Sequence, residues 1–197
     1  LISDSEKIVL VSHINPDGDA IGSLVGMKLF LEENGKHPQV VVPNRFPDFL
    51  SFLDEQGSIM AYDSSRDAAD SAVSAADLII CMDFNSLKRI DALGDAVGAS
   101  SAKKVLVDHH LMPDNIFDIT FSDVSASSTC EVAYYLIKEM TACNGDLKGM
   151  TLEEKIWQLT QGHLGRNDNP NNVVKSATVP PFVGSMINYS EDSRVAN

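Results

Sequence analysis

Short apolar runs rich in β-branched residues alternate with longer stretches of helical periodicity along the first 140 residues. Lys7-Ile8-Val9-Leu10-Val11 reads as a buried strand. After it Leu24, Met27, Leu29, Phe30 and Leu31 recur with helical spacing up to Gly35. Gln39–Val42 predicts a second strand. Phe46, Phe49, Leu50 and Leu53 predict one face of a short amphipathic helix, and the alanine-rich segment Ser65–Ala76 a further helix. Leu78–Met82 is a continuous apolar strand that ends at Asp83-Phe84-Asn85, and Ser86 can cap a helix running to about Val97. Lys103–Val107 is the next strand and a looser one lies around Ile119–Phe121. A helix from about Ser128 to Met140 follows, with Cys130, Val132, Ala133, Leu136 and Ile137 on its apolar side.

Strands that alternate with helices predict an α/β fold, a mostly parallel sheet with helices on both faces and right-handed crossovers. Ligands of such sheets bind beyond the carboxyl ends of the strands. His13 follows the first strand, Asp83 ends the strand 78–82, and Asp108-His109-His110 end the strand 103–107. Ordinary turn residues would scatter over both edges, whereas these share one. The turn Ser12-His13-Ile14-Asn15-Pro16-Asp17-Gly18-Asp19-Ala20-Ile21-Gly22-Ser23 adds two more carboxylates. Asp17 and Asp19 flank a glycine, so both can point into one cavity at the start of the first helix, where free backbone N–H groups also favour phosphate.

Composition narrows the reading. A chain of 197 residues has room for one large domain or two small ones. A net charge of −13 repels a long polyanion, which disfavours long duplex DNA as a partner. A small phosphorylated substrate stays compatible if a metal supplies local positive charge. No apolar run approaches the ~20 residues of a membrane span, and the N-terminal run is too short for a signal peptide. Cys81, Cys130 and Cys143 lack metal-type spacing and suggest reduced thiols in a cytoplasmic protein. No dinucleotide fingerprint is present. Gly22 and Gly26 fall inside the first helix, which suggests close helix packing and disfavours a Rossmann oxidoreductase.

His13, Asp17, Asp19, Asp83 and His109 are five candidate metal ligands. With Asp108 and His110 in the same pocket, they exceed what one ion needs, so a pair of ions about 3.5–4 Å apart fits better. Asp83, alone after a central strand, is the choice for a bridging carboxylate. Oxygen and imidazole donors without thiolate favour Mn²⁺, with Mg²⁺ as the other choice. Such a pair activates water and neutralises charge on a phosphoryl group under attack. Asp108 and His110 are the candidate catalytic residues, His110 contacting the phosphate or giving a proton to the leaving oxygen. No organic cofactor is expected.

These residues resemble the DHH phosphoesterase superfamily, named for the Asp-His-His that stands here at 108–110. The turn 12–23 is similar to the first motif of its RecJ-like branch, and Cys81-Met82-Asp83-Phe84-Asn85 to the second. The resemblance covers roughly residues 1–140 and is strongest to the nanoRNase/pAp phosphatase group, often labelled exopolyphosphatase-related. It implies that His13, Asp17 and Asp83 hold one manganese ion, that Asp19, Asp83 and His109 hold the other, and that His110 sits at the phosphate. It also implies hydrolysis of small nucleotides: short single-stranded oligoribonucleotides, pAp or linear dinucleotides. Pyrophosphate or polyphosphate hydrolysis, or nucleotide binding without turnover, are the alternatives, and homodimerisation stays open. The family's fourth motif, an aspartate after another strand, is not found, with Asp168 the nearest candidate. Residues 1–140 are therefore expected to form the phosphoesterase domain. Residues 141–197 are expected to give a helical segment, opening at Thr151 with Glu154 in capping-box spacing, and an irregular tail. The family's C-terminal cap domain is expected to be absent or truncated.

Overall fold

A computed structural model describes residues 1–144, with side chains through residue 141. The helix expected from Thr151 and the candidate Asp168 lie outside the described residues. Six strands form one parallel sheet: β1 (Ile8–Val11), β2 (Gln39–Val42), β3 (Ile59–Ala61), β4 (Leu78–Met82), β5 (Lys103–Asp108) and β6 (Ile119–Ser122). Their spatial order is β3-β2-β1-β4-β5-β6 and every neighbouring pair is parallel. Four α-helices cover it: α1 (Gly18–Glu33), α2 (Arg66–Ala75), α3 (Leu93–Ala99) and α4 (Thr129–Asn144).

The continuous apolar character of β1 and β4 follows from burial on both faces. Ile8 and Leu10 of β1, Leu78, Ile80 and Met82 of β4, and Val105 and Val107 of β5 pack into a core shared with Ile21, Leu24 and Met27 of α1 and Val132 and Ile137 of α4. The alternate residues Val9, Val11, Ile79, Cys81 and Leu106 pack on the opposite side, against Ala69 and Val73 of α2 and Leu93 and Val97 of α3. Helices therefore lie on both faces, as the alternation of strands and helices predicts. Gly22 and Gly26 are buried in α1, which packs on α4. Cys81 and Cys130 are buried free thiols, and no helix among the described residues is long and apolar enough to cross a membrane.

Three local expectations change. The segment expected as an amphipathic helix over 46–53 is a 3-10 helix, Asp48–Asp54. At three residues per turn it buries Leu50 and leaves Phe49 67% exposed, so Phe49 does not share the inward face with Phe46, Leu50 and Leu53. Strand β3 is an edge strand of three residues, too short for its alternation to register in the sequence. The helix expected from Ser86 to Val97 is split: Ser86 does cap, its Oγ accepting from the Lys88 N–H, but only a 3-10 turn follows, Leu87–Ile90. Asp91 then adopts a φ of 48° and α3 starts afresh.

The return of α3 onto that 3-10 turn requires a residue without a side chain. A Cβ on Gly94 would lie 2.6 Å from the Leu87 carbonyl oxygen, which is backbone and cannot rotate away. Gly94→Ala is expected to destabilise the protein by about 1–3 kcal/mol, read from urea denaturation. Wild-type stability in that variant would show that the turn yields at no cost.

Candidate metal centre

The parallel register sets where the polar residues lie. β1, β4 and β5 are adjacent, with Val11 beside Cys81 and Met82 beside Val107. The residues that leave these strands at their carboxyl ends are His13, Asp83 and the run Asp108-His109-His110. All three lie on one edge of the sheet, where the sequence puts them. Asp83 is buried and turns with a φ of 65°, a conformation aspartate tolerates better than most residues. Its N–H donates to the Val107 carbonyl (3.1 Å). The His13 turn is braced from both sides. The Ile14 N–H donates to the Arg89 carbonyl (2.8 Å), and the Asn15 N–H to Asn44 Oδ1 (2.7 Å).

Asp17 is the N-cap of α1, its Oδ1 accepting from the N–H groups of Asp19 and Ala20 at 3.0 and 3.1 Å. His13 Nε2 lies 4.0 Å from that oxygen and 3.4 Å from Asp83 Oδ2. On the other side of Asp83, Oδ1 is 3.7 Å from His109 Nε2 and 3.9 Å from His110 Nδ1. Two sets of ligand atoms result, His13–Asp17–Asp83 and Asp83–His109–His110, each within 4.8 Å, and Asp83 belongs to both.

The imidazoles are oriented for ligation. His13 Nδ1 is 2.8 Å from the Ile14 carbonyl and His109 Nδ1 is 3.3 Å from the Ala126 carbonyl. A carbonyl only accepts, so in the neutral ring each Nδ1 carries the hydrogen and each Nε2 presents a lone pair to the acids. These donors fit divalent ions that take oxygen and imidazole ligands. His110 is held differently. Its Nδ1 lies 2.7 Å from Oδ1 of Asp108, which is fully buried, and Asp108 Oδ2 has no partner among the described residues.

Asp19 is held by a second helix, on the side of the site that faces Asp83 and His109. Its Oδ2 accepts from the Thr129 N–H (2.7 Å) and its Oδ1 from the Cys130 N–H (2.8 Å), so it sits at the amino end of α4. There the unpaired N–H groups and the helix dipole favour an anion. Asp19 Oδ2 still stands 3.8 Å from His109 Nε2. Thr129 is the residue the sequence reading misses: fully buried, it donates from Oγ1 to Asp83 Oδ1 at 2.7 Å. Its only signal is a place in Ser127-Ser128-Thr129 ahead of an apolar helix, which reads as a capping run.

Electrostatics match a site short of positive charge. Burial disfavours the protonated form of His13, but the carboxylates of Asp83 and Asp17 and the Ile14 carbonyl outweigh it, so its pKa is raised. Burial and the facing Asp83 raise the Asp19 carboxyl, against the two N–H groups of α4 that lower it. Burial, with the Asp19 charge, pushes the Cys130 thiol well up, so it stays neutral and is no thiolate ligand.

Comparison with known proteins places the chain in a family. The family model described as "DHH family, N-terminal domain" matches residues 7–160. The bifunctional oligoribonuclease and PAP phosphatase NrnA of Bacillus subtilis is 31% identical over 192 residues, covering 95% of this chain and 55% of that protein. The chain thus spans about half the length of that curated relative. An exopolyphosphatase-related protein of Bacteroides fragilis superposes with a TM-score of 0.73 at 40% identity, over 80% of this chain and 45% of the other. Exonuclease RecJ, solved bound to manganese, shares the fold at a TM-score of 0.52 and 13% identity, over 83% of this chain and 41% of its own.

His13 links the site to stability. It holds a proton more tightly folded than unfolded, so its contribution is fully present below pH 6.5 and is lost as pH rises through the higher folded value. In chelator-treated protein, the wild type is expected to lose stability relative to His13→Gln as pH rises through that window, followed by urea denaturation. Identical pH slopes in the two proteins would refute the coupling.

Proposed function

The chain belongs to the DHH family, and from that premise we propose that it is a divalent-metal phosphoesterase acting on small nucleotides. The proposed substrates are short oligoribonucleotides and pAp-type 3′-phosphates. The observation that carries this reading is the pair of ligand sets joined by Asp83 at the ends of three adjacent strands. In this reading His13, Asp17 and Asp83 would hold one ion, and Asp83 and His109 would hold a second, with Asp19 and His110 beside it. Manganese is the preferred ion and magnesium the other choice, because the donors are carboxylate and imidazole without thiolate. Such ions, when bound, supply Lewis acidity toward a phosphoryl oxygen and toward water.

The remaining work falls to the chain. The Asp108 carboxylate fixes the His110 ring through Nδ1 and leaves Nε2 open for a substrate oxygen or a leaving group. The carbonyls of Ile14 and Ala126 keep His13 and His109 in the tautomer that faces the acids. A net charge of −13 favours short substrates over long polyanions. The name of the B. subtilis relative supports the choice of oligoribonucleotide and pAp, and buried free thiols fit the cytoplasmic setting expected from the sequence.

Two outcomes follow. Saturating Mn²⁺ at a hundredfold excess over Kd is expected to stabilise the fold by about 2.7 kcal/mol, seen as a raised Tm; an unchanged Tm counts against the centre. The protein with Mn²⁺ is expected to release inorganic phosphate from pAp and mononucleotides from a diribonucleotide. His110→Ala is expected to lower kcat by about 10²–10⁴-fold while retaining Mn²⁺. Bound Mn²⁺ without turnover of either substrate rejects the phosphoesterase reading and leaves a binding module. Turnover of pyrophosphate alone moves the substrate to that class.

A further inference from the structure

Thr129 touches both acids that come from opposite sides of the centre. Its hydroxyl donates to Asp83 at the end of β4, its N–H donates to Asp19 in the first turn of α1, and the next N–H, from Cys130, completes the grip on Asp19. Asp83 is 2% exposed, and the imidazoles of His13, His109 and His110 lie within 4 Å of its carboxylate. A carboxylate so placed can rotate about its Cβ–Cγ bond unless a fixed donor holds it. The Thr129 hydroxyl is such a donor: it is anchored in the first turn of a sixteen-residue helix and excluded from water. With Oδ1 held there, Oδ2 is the oxygen turned to His13.

We propose that Thr129 is a positioning residue that fixes the rotation of Asp83, so that one carboxylate oxygen serves each half of the centre. This inference rests on the reading of Asp83 as the carboxylate common to two ions. It gives α4 a role in the site as well as in the core, since the helix is pinned at its first residue by the same hydroxyl.

The hydroxyl can be tested apart from the helix. Ser128 Oγ caps α4 by accepting from the Glu131 N–H (3.1 Å), and the N–H groups that hold Asp19 are backbone. Thr129→Val therefore removes only the bond to Asp83 at nearly constant shape, Thr129→Ser keeps it, and Thr129→Ala removes it without added bulk. Calorimetric Mn²⁺ titration is expected to show affinity lower by about 10–100-fold in the valine and alanine variants and within a few-fold of wild type in the serine variant. Far-ultraviolet dichroism of the chelated proteins checks that all are folded. The electron paramagnetic resonance spectrum of bound Mn²⁺ is expected to change with the first two and not with serine. Wild-type affinity and stoichiometry in the valine and alanine variants overturn the proposal while leaving the metal centre intact. So does a loss in serine equal to that in valine, because packing and not the hydroxyl would then matter. Absence of Mn²⁺ binding in the wild type overturns the centre itself, and this inference with it.

Discussion

The site depends on the hydrogen-bonded register of three buried parallel strands. Neighbouring strands in a sheet lie about 4.8 Å apart, and β1, β4 and β5 are held at that spacing by ladders that water cannot reach. Residues that leave these strands at equivalent levels must therefore emerge side by side. His13, Asp83 and Asp108 are separated by tens of residues in the chain, yet the ladder brings them to one edge before any contact among their side chains exists. The apolar alternation that builds the two cores is thus also what assembles the acids and imidazoles.

Gathering like charges in a buried place carries an energetic cost, and the surroundings offset it with donors instead of cations. Asp17 accepts from its own helix, Asp19 from the amino end of α4, Asp83 from a buried hydroxyl, and Asp108 from His110. No lysine or arginine pairs with any of the four among the described residues. Donors of this kind hold carboxylates in place without neutralising them, which preserves a strong pull on a divalent cation. The two ring nitrogens tied to backbone carbonyls complete the arrangement, since they decide which face of each imidazole is basic.

Much of this was legible from the chain because the strands that matter are rich in β-branched apolar residues and followed at once by polar ones. β1, β4 and β5 declare themselves by composition, and the residues at or just past their carboxyl ends give His13, Asp83 and the run 108–110. What escaped has physical reasons. β3 is three residues long, and the break at Asp91 depends on a backbone angle that no periodicity reports. The inward face of segment 46–53 came out wrong at Phe49 because the chain there winds at three residues per turn. Asp19 and Thr129 are 110 residues apart, and a capping acid supplied by another helix leaves no local mark. That the free N–H groups at the start of α4 hold both oxygens of Asp19 is therefore a tertiary fact that the first motif does not report.

The left-handed backbone at position 83 narrows what evolution or an experimenter can place there. An ordinary side chain in that conformation carries strain of roughly 1–2 kcal/mol, while asparagine, aspartate and glycine are the usual occupants. Alanine scanning would confound two losses, a relaxed peptide and a vanished charge, whereas asparagine isolates the charge. A conformational filter and a chemical one fall on the same codon, so few single substitutions at that position leave both intact.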